Sequence, residues 1–372
     1  MKKLILLALL GSLLGACKKT SYTITGSLPI FKEGKTVYLS TTPHFFGKFI
    51  DSCVVKNGLF YFEGKQDSTI RVYLTTVQPN GLEGLHIGDF FLENGDIIIK
   101  ENFIEDESLF MSITGSPHND IEQKMRDEMA MLTFKRLKLE EWRSDTTRTE
   151  KELQQAREEM IRIYKEFKKI EQRYFEANWD NELGRYLFKK GIIYKYDSKK
   201  LKEWIDRLLT KWPNDRNISI AQKEVINEIR TMVGEKFIDY TMQTPDGQAI
   251  KLSDFINKNK YTLVSIWDSR DNTYPTYVIP HLKRAYQTYK KQGLEIVGIS
   301  LDKDSTTWTT TIEKWDMPWP QMSDLKGRQS QACELYNINL IPYQMLIDQN
   351  GIILARNIKP DKLNEDLGKI LK

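Results

Sequence analysis

Tyr261-Thr-Leu-Val-Ser-Ile-Trp-Asp-Ser-Arg-Asp-Asn-Thr-Tyr-Pro275 decides how this chain is read. Leu263, Val264, Ile266 and Trp267 form an apolar run of strand length. Asp271-Asn272-Thr273 supplies turn and N-cap chemistry, and Pro275 fits a first helical position, where its missing N–H costs nothing. The stretch predicts a buried strand, a tight turn and a helix. Outward from it the pattern alternates. Residues 237–242 and 248–251 flank the turn signal Pro245-Asp246-Gly247. After the strand at 261–267 come a helix at about 275–292, a strand at 294–300, a helix at about 306–315, a short strand near Trp319 and a helix at 329–336. A hairpin of 343–347 and 352–356 around Asp348-Gln349-Asn350-Gly351 and a helix from about Asp361 end the chain. That order implies an α/β sheet of mixed pairing.

The stretch resembles the active-site segment of thioredoxin-like proteins, in particular the TlpA/ResA-like envelope thiol–disulfide oxidoreductases of the alkyl hydroperoxide reductase/thiol-specific antioxidant superfamily. In that family the strand ends in Phe-Trp-Ala-x-Trp-Cys-x-x-Cys. Trp267 matches the first Trp, Arg270 stands at the second, and Asp271 and Tyr274 stand at the two cysteines. Val233-Gly234-Glu235-Lys236, the run from Gly293 to Asp302 and Tyr336-Asn-Ile-Asn-Leu-Ile-Pro-Tyr343 carry the resemblance further, over about 140 residues. The resemblance implies a thioredoxin fold at 233–372 and a cis Ile341-Pro342 peptide facing the motif turn.

Dithiol exchange needs a thiolate and a second, resolving thiol. Asp271 and Tyr274 supply neither, and no cysteine lies within 267–281 to attack a peroxide, so the site offers no catalytic residue by this chemistry. The family's use of the cis-Pro edge for extended substrates implies a peptide groove here, lined by Trp267, Arg270, Asp271, Tyr274, Ile341, Pro342 and Tyr343. The alternative is that these residues fill the space the dithiol left. Arg270 pairs either with Asp271 or with a ligand carboxylate. Cys333, in Gln331-Ala-Cys-Glu-Leu-Tyr336, reads as a buried thiol with nothing nearby in sequence to activate it. His44, His86, His118 and His281 are scattered without metal-ligand spacing, so no metal and no cofactor is expected. Trp315-Asp-Met-Pro-Trp-Pro320 reads as core or rim packing, with a sugar platform left open as the alternative.

Residues 17–117 have an all-β texture. Short β-branched and aromatic runs at 22–25, 36–39, 49–55, 59–62, 70–74, 89–92 and 97–99 are separated by turn signals, which predicts a small sandwich or barrel. Asn57-Gly58 and Asn94-Gly95 read as hairpin turns. Asp51-Ser52-Cys53-Val54-Val55, the Asn57-Gly58 turn and Ile113-Thr114-Gly115-Ser116-Pro117 resemble an N-terminal β-domain of unknown function found ahead of thioredoxin modules in envelope lipoproteins. Residues 118–232 are charged, with apolar positions at helical spacing: Met125, Met129 and Leu132 in one stripe, Met160, Ile163, Tyr164, Phe167 and Ile170 in another. Thr149 and Glu152 stand at capping-box spacing. Further helices are expected at 183–190, 199–210 and 218–232. This central α-helical segment either spaces the β-domain from the C-terminal domain or caps the cleft.

The first sixteen residues read as a leader. Lys2-Lys3 precedes a short apolar run at 4–14, too short to span a bilayer comfortably. Leu14-Gly15-Ala16-Cys17 resembles a bacterial lipobox, which implies cleavage before Cys17, lipid on its sulfur and an envelope location facing the periplasm. Lys18, where an Asp would favour inner-membrane retention in lipoproteins, leans towards the outer membrane. The mature chain keeps Cys53 and Cys333, both read as free thiols, with a disulfide between them left open.

The 372 residues include 28% charged and 40% hydrophobic side chains, and the net charge of +4 is small for that length. No basic cluster with interleaved aromatics appears, which gives no argument for nucleic acid. The sequence supports three readings of function. The first is a lipid-anchored module, lacking the dithiol, that holds a peptide or an envelope protein at the cis-Pro groove. The second is a thiol–disulfide oxidoreductase in cell redox homeostasis, as the family implies, working through Cys333 or Cys53. The third is a structural lipoprotein of an envelope assembly.

Overall fold

The computed structural model describes residues 19–42, 49–76, 86–104, 107–191 and 196–371; the leader, Cys17 and His44 lie outside them. The chain divides into two compact units, Met1–Lys195 and Tyr196–Lys372.

The first unit holds β1 (Tyr22–Ser27), β2 (Thr36–Ser40), β3 (Phe49–Val54), β4 (Phe60–Gly64), β5 (Ile70–Thr75), β6 (His86–Leu92), β7 (Gly95–Ile104) and β8 (Glu107–Thr114). They form two four-stranded sheets, β4-β1-β7-β8 and β3-β2-β5-β6. Side chains alternate across the pleat, so Tyr22 and Ile24 of β1 turn inward while Thr25 stays exposed. Ile24, Phe60, Phe62, Ile97 and Ile99 from one sheet share a core with Val37, Leu39, Val72, Leu74 and Phe90 from the other. Of the expected sandwich or barrel, the sandwich is the one formed.

The two Asn-Gly signals part company. Asn57 and Gly58 both have positive φ (52° and 72°), and Lys56 and Leu59 exchange backbone hydrogen bonds of 2.9 and 3.0 Å across them. This is a two-residue hairpin turn, although its arms soon pass into different sheets. Asn94-Gly95 is not a hairpin. It carries the chain from β6 in one sheet to β7 in the other. The Asn94 amide bridges to the backbone of Gln66, accepting from its N–H at 3.0 Å and donating to its carbonyl at 2.9 Å. Gly95 answers a close approach instead of a turn, because a Cβ there would meet the Gly115 carbonyl oxygen at 2.8 Å.

Three helices complete this unit: α1 (Pro117–Arg143), α2 (Glu150–Asn178) and α3 (Glu182–Lys189). Thr149 and Glu152 close a capping box at the start of α2. In the expected α1 stripe only Met125 is buried, with Met129 and Leu132 half-buried, and on α2 Tyr164 is exposed while Met160 and Ile163 are buried. The start of α1 is held by polar side chains instead. Asn119 accepts from Phe91 N–H at 2.9 Å and donates to its carbonyl at 2.8 Å, and Gln123 accepts from Ile113 N–H at 2.8 Å. Glu122 accepts from Arg71 at 2.5 and 2.9 Å and from Arg126 at 2.9 Å. Arg71 also binds Asp89 at 2.6 Å, and its guanidinium lies over the rings of Phe91 and Tyr186, 4.5 and 4.0 Å from their centroids.

The second unit begins with α4 (Ser198–Lys211) and α5 (Arg216–Arg230). The segment 118–232 therefore does not stand as a body of its own, since α1 to α3 belong with the sandwich and α4 and α5 with the C-terminal unit. α4 packs on α5, hiding Trp204, Ile205 and Leu208 on one helix and Ile218, Ala221 and Val225 on the other, and α5 is tied to Glu334 by Asn227 and Lys223. After them come β9 (Thr241–Gln243), β10 (Ala249–Lys251), α6 (Ser253–Ile256), β11 (Tyr261–Trp267), α7 (Ile279–Tyr289), β12 (Leu294–Ser300), α8 (Ser305–Lys314), β13 (Gln321–Met322), α9 (Gln331–Leu335), β14 (Tyr343–Asp348), β15 (Ile353–Arg356) and α10 (Leu363–Ile370).

The central sheet runs β13-β12-β11-β14-β15. β11 is parallel to β12 and antiparallel to β14, and both its faces are covered. Val264 and Ile266 enter one core with Val297 and Met345, while Leu263 and Trp267 enter the other with Leu282 and Leu346. This is the thioredoxin-like α/β arrangement expected for 233–372. In register Trp267 faces Ser300 and Ile266 faces Tyr343, which brings the segment before β14 alongside the turn after β11.

Candidate functional site

The turn after β11 is built from its own carboxylates. Asp271 accepts from the N–H and hydroxyl of Thr273 at 2.9 and 2.7 Å. Asp268 is buried and accepts from Arg270 three times: from its N–H at 3.0 Å, Nε at 2.8 Å and Nη2 at 2.5 Å. Arg270 thus pairs with Asp268 and not with Asp271, while its side chain stays 75% exposed. The bond from Arg270 holds the Asp268 carboxyl below the usual range, and burial opposes it. At the end of the neighbouring strand Asp302 accepts from Ser269 Oγ at 2.5 Å and Ser300 Oγ at 2.7 Å. The family motif does not single out Asp268 or Asp302. Their signal in the sequence is an Asp just past each parallel strand, with Asp-x-Arg spacing in the first case.

Tyr274, at the second motif position, is fully buried. Its ring stacks on Trp267 at 5.9 Å and on Trp315 at 5.7 Å. Its hydroxyl lies 2.8 Å from Ser265 Oγ, which also accepts from Gln344 Nε2 at 3.4 Å. Burial raises the phenol well above its ordinary value. Trp267 is equally buried and donates to Gln321 Oε1 at 3.1 Å. Trp267 and Tyr274 therefore line no open groove; they fill the core beneath the turn. The helix expected from about 275 opens with a wider turn, in which Ile279 N–H reaches the Tyr274 carbonyl. Pro280 has no N–H to close the ordinary bond at that level. Trp315 is half-buried and Trp319 buried in the same core.

The Ile341-Pro342 peptide is cis. Ile341 and Pro342 are half-buried, and Leu340 before them is 81% exposed. Among the described residues no hydrogen bond engages the backbone of Leu340 or Ile341. Tyr343 turns inward, accepts from Arg356 Nε at 2.8 Å and is buried, so it too leaves the groove. Of the seven groove candidates, Arg270, Asp271, Ile341 and Pro342 reach the surface and the three aromatics do not.

Cys53 and Cys333 are both free thiols. Cys333 is 6% exposed and burial pushes its thiol up to about 11, the opposite of an activated nucleophile. Burial also raises the Cys53 thiol. Among the described residues no group of three His, Cys, Asp or Glu side chains gathers to hold a metal, and no helix is long and apolar enough to cross a membrane. The site can offer main-chain hydrogen bonds and an apolar edge. The two motif positions hold Asp271 and Tyr274, neither of which carries a sulfur.

Residues 233–356 match the AhpC/TSA family model and residues 22–121 match a domain of unknown function (DUF4369). The thiol-disulfide oxidoreductase ResA of Bacillus thuringiensis subsp. konkukian is 23% identical over 154 residues, covering 41% of this chain and 85% of that protein. ResA of Geobacillus kaustophilus is 27% identical over 119 residues, covering 32% and 65%. Among solved structures, the thioredoxin domain of a thiol-disulfide oxidoreductase from Bacteroides vulgatus is 28% identical with a TM-score of 0.35, covering 38% of this chain and 99% of that one. A thiol-disulfide oxidoreductase from Bacteroides fragilis is 30% identical with a TM-score of 0.34, covering 37% and 99%.

Proposed function

The C-terminal part of this chain belongs to the thioredoxin-like AhpC/TSA family, and on that premise we propose that it has lost the family's dithiol and kept a docking edge: it holds an extended peptide, or a strand of an envelope protein, along Leu340–Pro342. One observation carries this reading. Next to a motif turn that holds Asp271 and a buried Tyr274, the exposed Leu340 and its neighbour Ile341 present main-chain groups with no partner among the described residues. An extended peptide laid there gains main-chain hydrogen bonds and covers an apolar side chain. In this reading Cys17 carries the lipid that tethers the chain to the envelope, facing the periplasm and more often at the outer than the inner membrane, with several acyl chains giving a stable anchor.

The test has two arms. Disulfide exchange on a reduced and scrambled substrate is measured for wild type and Cys333→Ser, and peptide capture from a random library for wild type and Leu340→Asp. The expected result is no exchange above the enzyme-free control, with capture weakened about tenfold or more in Leu340→Asp, the scale of removing one covered apolar side chain and adding a charge. Exchange that disappears in Cys333→Ser would overturn the proposal in favour of an oxidoreductase, and so would a wild type that captures no peptide.

A further inference from the structure

The second unit contains a cavity of about 410 Å³ between α5 and the loop that leads to Leu340. Asn337, Ile338 and Asn339, the three residues before the exposed edge, form one wall. Arg328 Nη1 holds that wall by donating to the Asn339 carbonyl at 3.3 Å. The facing wall is α5, which lies outside residues 233–356. It is fixed to α9 by Asn227 Nδ2, which donates to the Glu334 carbonyl at 3.0 Å, and by an ion pair between Lys223 and Glu334. The helical segment therefore adds to the thioredoxin-like domain a pocket that this domain does not make alone.

We propose that this pocket selects one side chain of the bound peptide, and that the side chain is a neutral amide, Asn or Gln; the inference rests on the peptide-holding reading above. The lining says why. Four amides line the space: Asn227, Gln329, Asn337 and Asn339. Asn227 Nδ2 is taken by the Glu334 carbonyl and Asn339 Nδ2 donates to Asn337 Oδ1 at 3.3 Å, which leaves Asn227 Oδ1, Asn339 Oδ1, Asn337 Nδ2 and the Gln329 amide for a ligand. An amide ligand matches them as donor and acceptor at once. The charged lining residues, Lys223 and Arg328 against Glu224 and Glu334, cancel, so neither an acid nor a base is drawn in by net charge. The two buried lining residues, Cys333 and Ile338, offer apolar surface to an aliphatic stem. Cys333 has its place here as wall, not as reagent.

A position-scanned peptide library is presented to wild type, Ile220→Trp and Leu340→Asp. Ile220 lines the pocket mouth and is 46% exposed, so a larger ring there blocks the space without touching the core, which circular dichroism checks. Wild type is expected to favour Asn or Gln at one position over Asp, Lys or Leu by about tenfold, the worth of a satisfied polar contact. Ile220→Trp is expected to flatten that preference to under about twofold while still binding peptide. No preference in wild type, a preference for a charged or apolar residue, or a preference unchanged in Ile220→Trp overturns the pocket. If binding is lost in Leu340→Asp while Ile220→Trp behaves as wild type, the pocket alone is refuted and the docking edge stands. If wild type binds no peptide, both fall.

Discussion

At the scale of single residues, Tyr274 at the second motif position is a buried ring. Tyr274 packs against both Trp267 and Trp315, which also touch each other, and reaches Ser265 through its hydroxyl. Removing it leaves a void and takes from Ser265 its hydroxyl partner, with only the Gln344 amide left to it. Tyr274→Ala is expected to destabilise the second unit by about 3–5 kcal/mol, as for other large buried aromatics. Tyr274→Phe is expected to cost only about 1 kcal/mol for the hydrogen bond. Urea unfolding of the two variants reads the difference, and equal losses would show that the hydroxyl, not the volume, is what matters. The sequence could say that the sulfurs were absent. It could not say that the replacement points inward, because an aromatic at a motif position serves equally as floor or lining until its neighbours are known. Trp267 and Tyr343 misled the same way.

At the scale of elements, short-range chemistry was readable wherever the local chain alone sets the geometry. The capping box at Thr149 and Glu152 is such a case: two reciprocal bonds within four residues. Thr149→Ala is expected to lower the stability of the α1–α2 hairpin by about 1 kcal/mol. Amide hydrogen exchange in the first turn of α2 would show it, and unchanged protection there would refute it. The β-strands and the alternating order of 233–372 were legible for a related reason, since period-2 burial and parallel pairing leave plain patterns. What was not legible depends on distant partners. Asn94-Gly95 has the letters of a turn, but its Asn binds Gln66 and its Gly makes room for Gly115. The anchoring of α1 by Asn119, Glu122 and Gln123 was hidden because polar residues on a charged helix read as a solvated face.

For the whole molecule, the ion network of the first unit is the feature whose loss should be felt in one unit and not the other. Glu122 is buried with Arg71 and Arg126. Burial pushes its carboxyl up, but the two guanidinium groups outweigh this and the net result is a lowered pKa. A depressed folded-state value means that the stabilisation is fully present above the ordinary carboxylate range and is lost as pH falls through the folded value. Glu122→Gln is expected to cost the first unit about 3 kcal/mol, because Arg71 is left in a low-dielectric site with one partner fewer, and to make its unfolding less sensitive to acid. Calorimetry at pH 7 and pH 3 checks this. The transition of residues 196–372 should stay where it is, and movement of both transitions together would mean that the two units do not melt independently.

The Trp267–Tyr274–Trp315 stack has an optical consequence. Three aromatic chromophores held within 6 Å of one another, two of them fully buried, form a coupled set whose near-ultraviolet dichroism and emission depend on their mutual angles. The stack lies under the turn that borders the proposed docking edge. An occupant that tightens or loosens that turn would therefore announce itself as a spectral change, with no label attached.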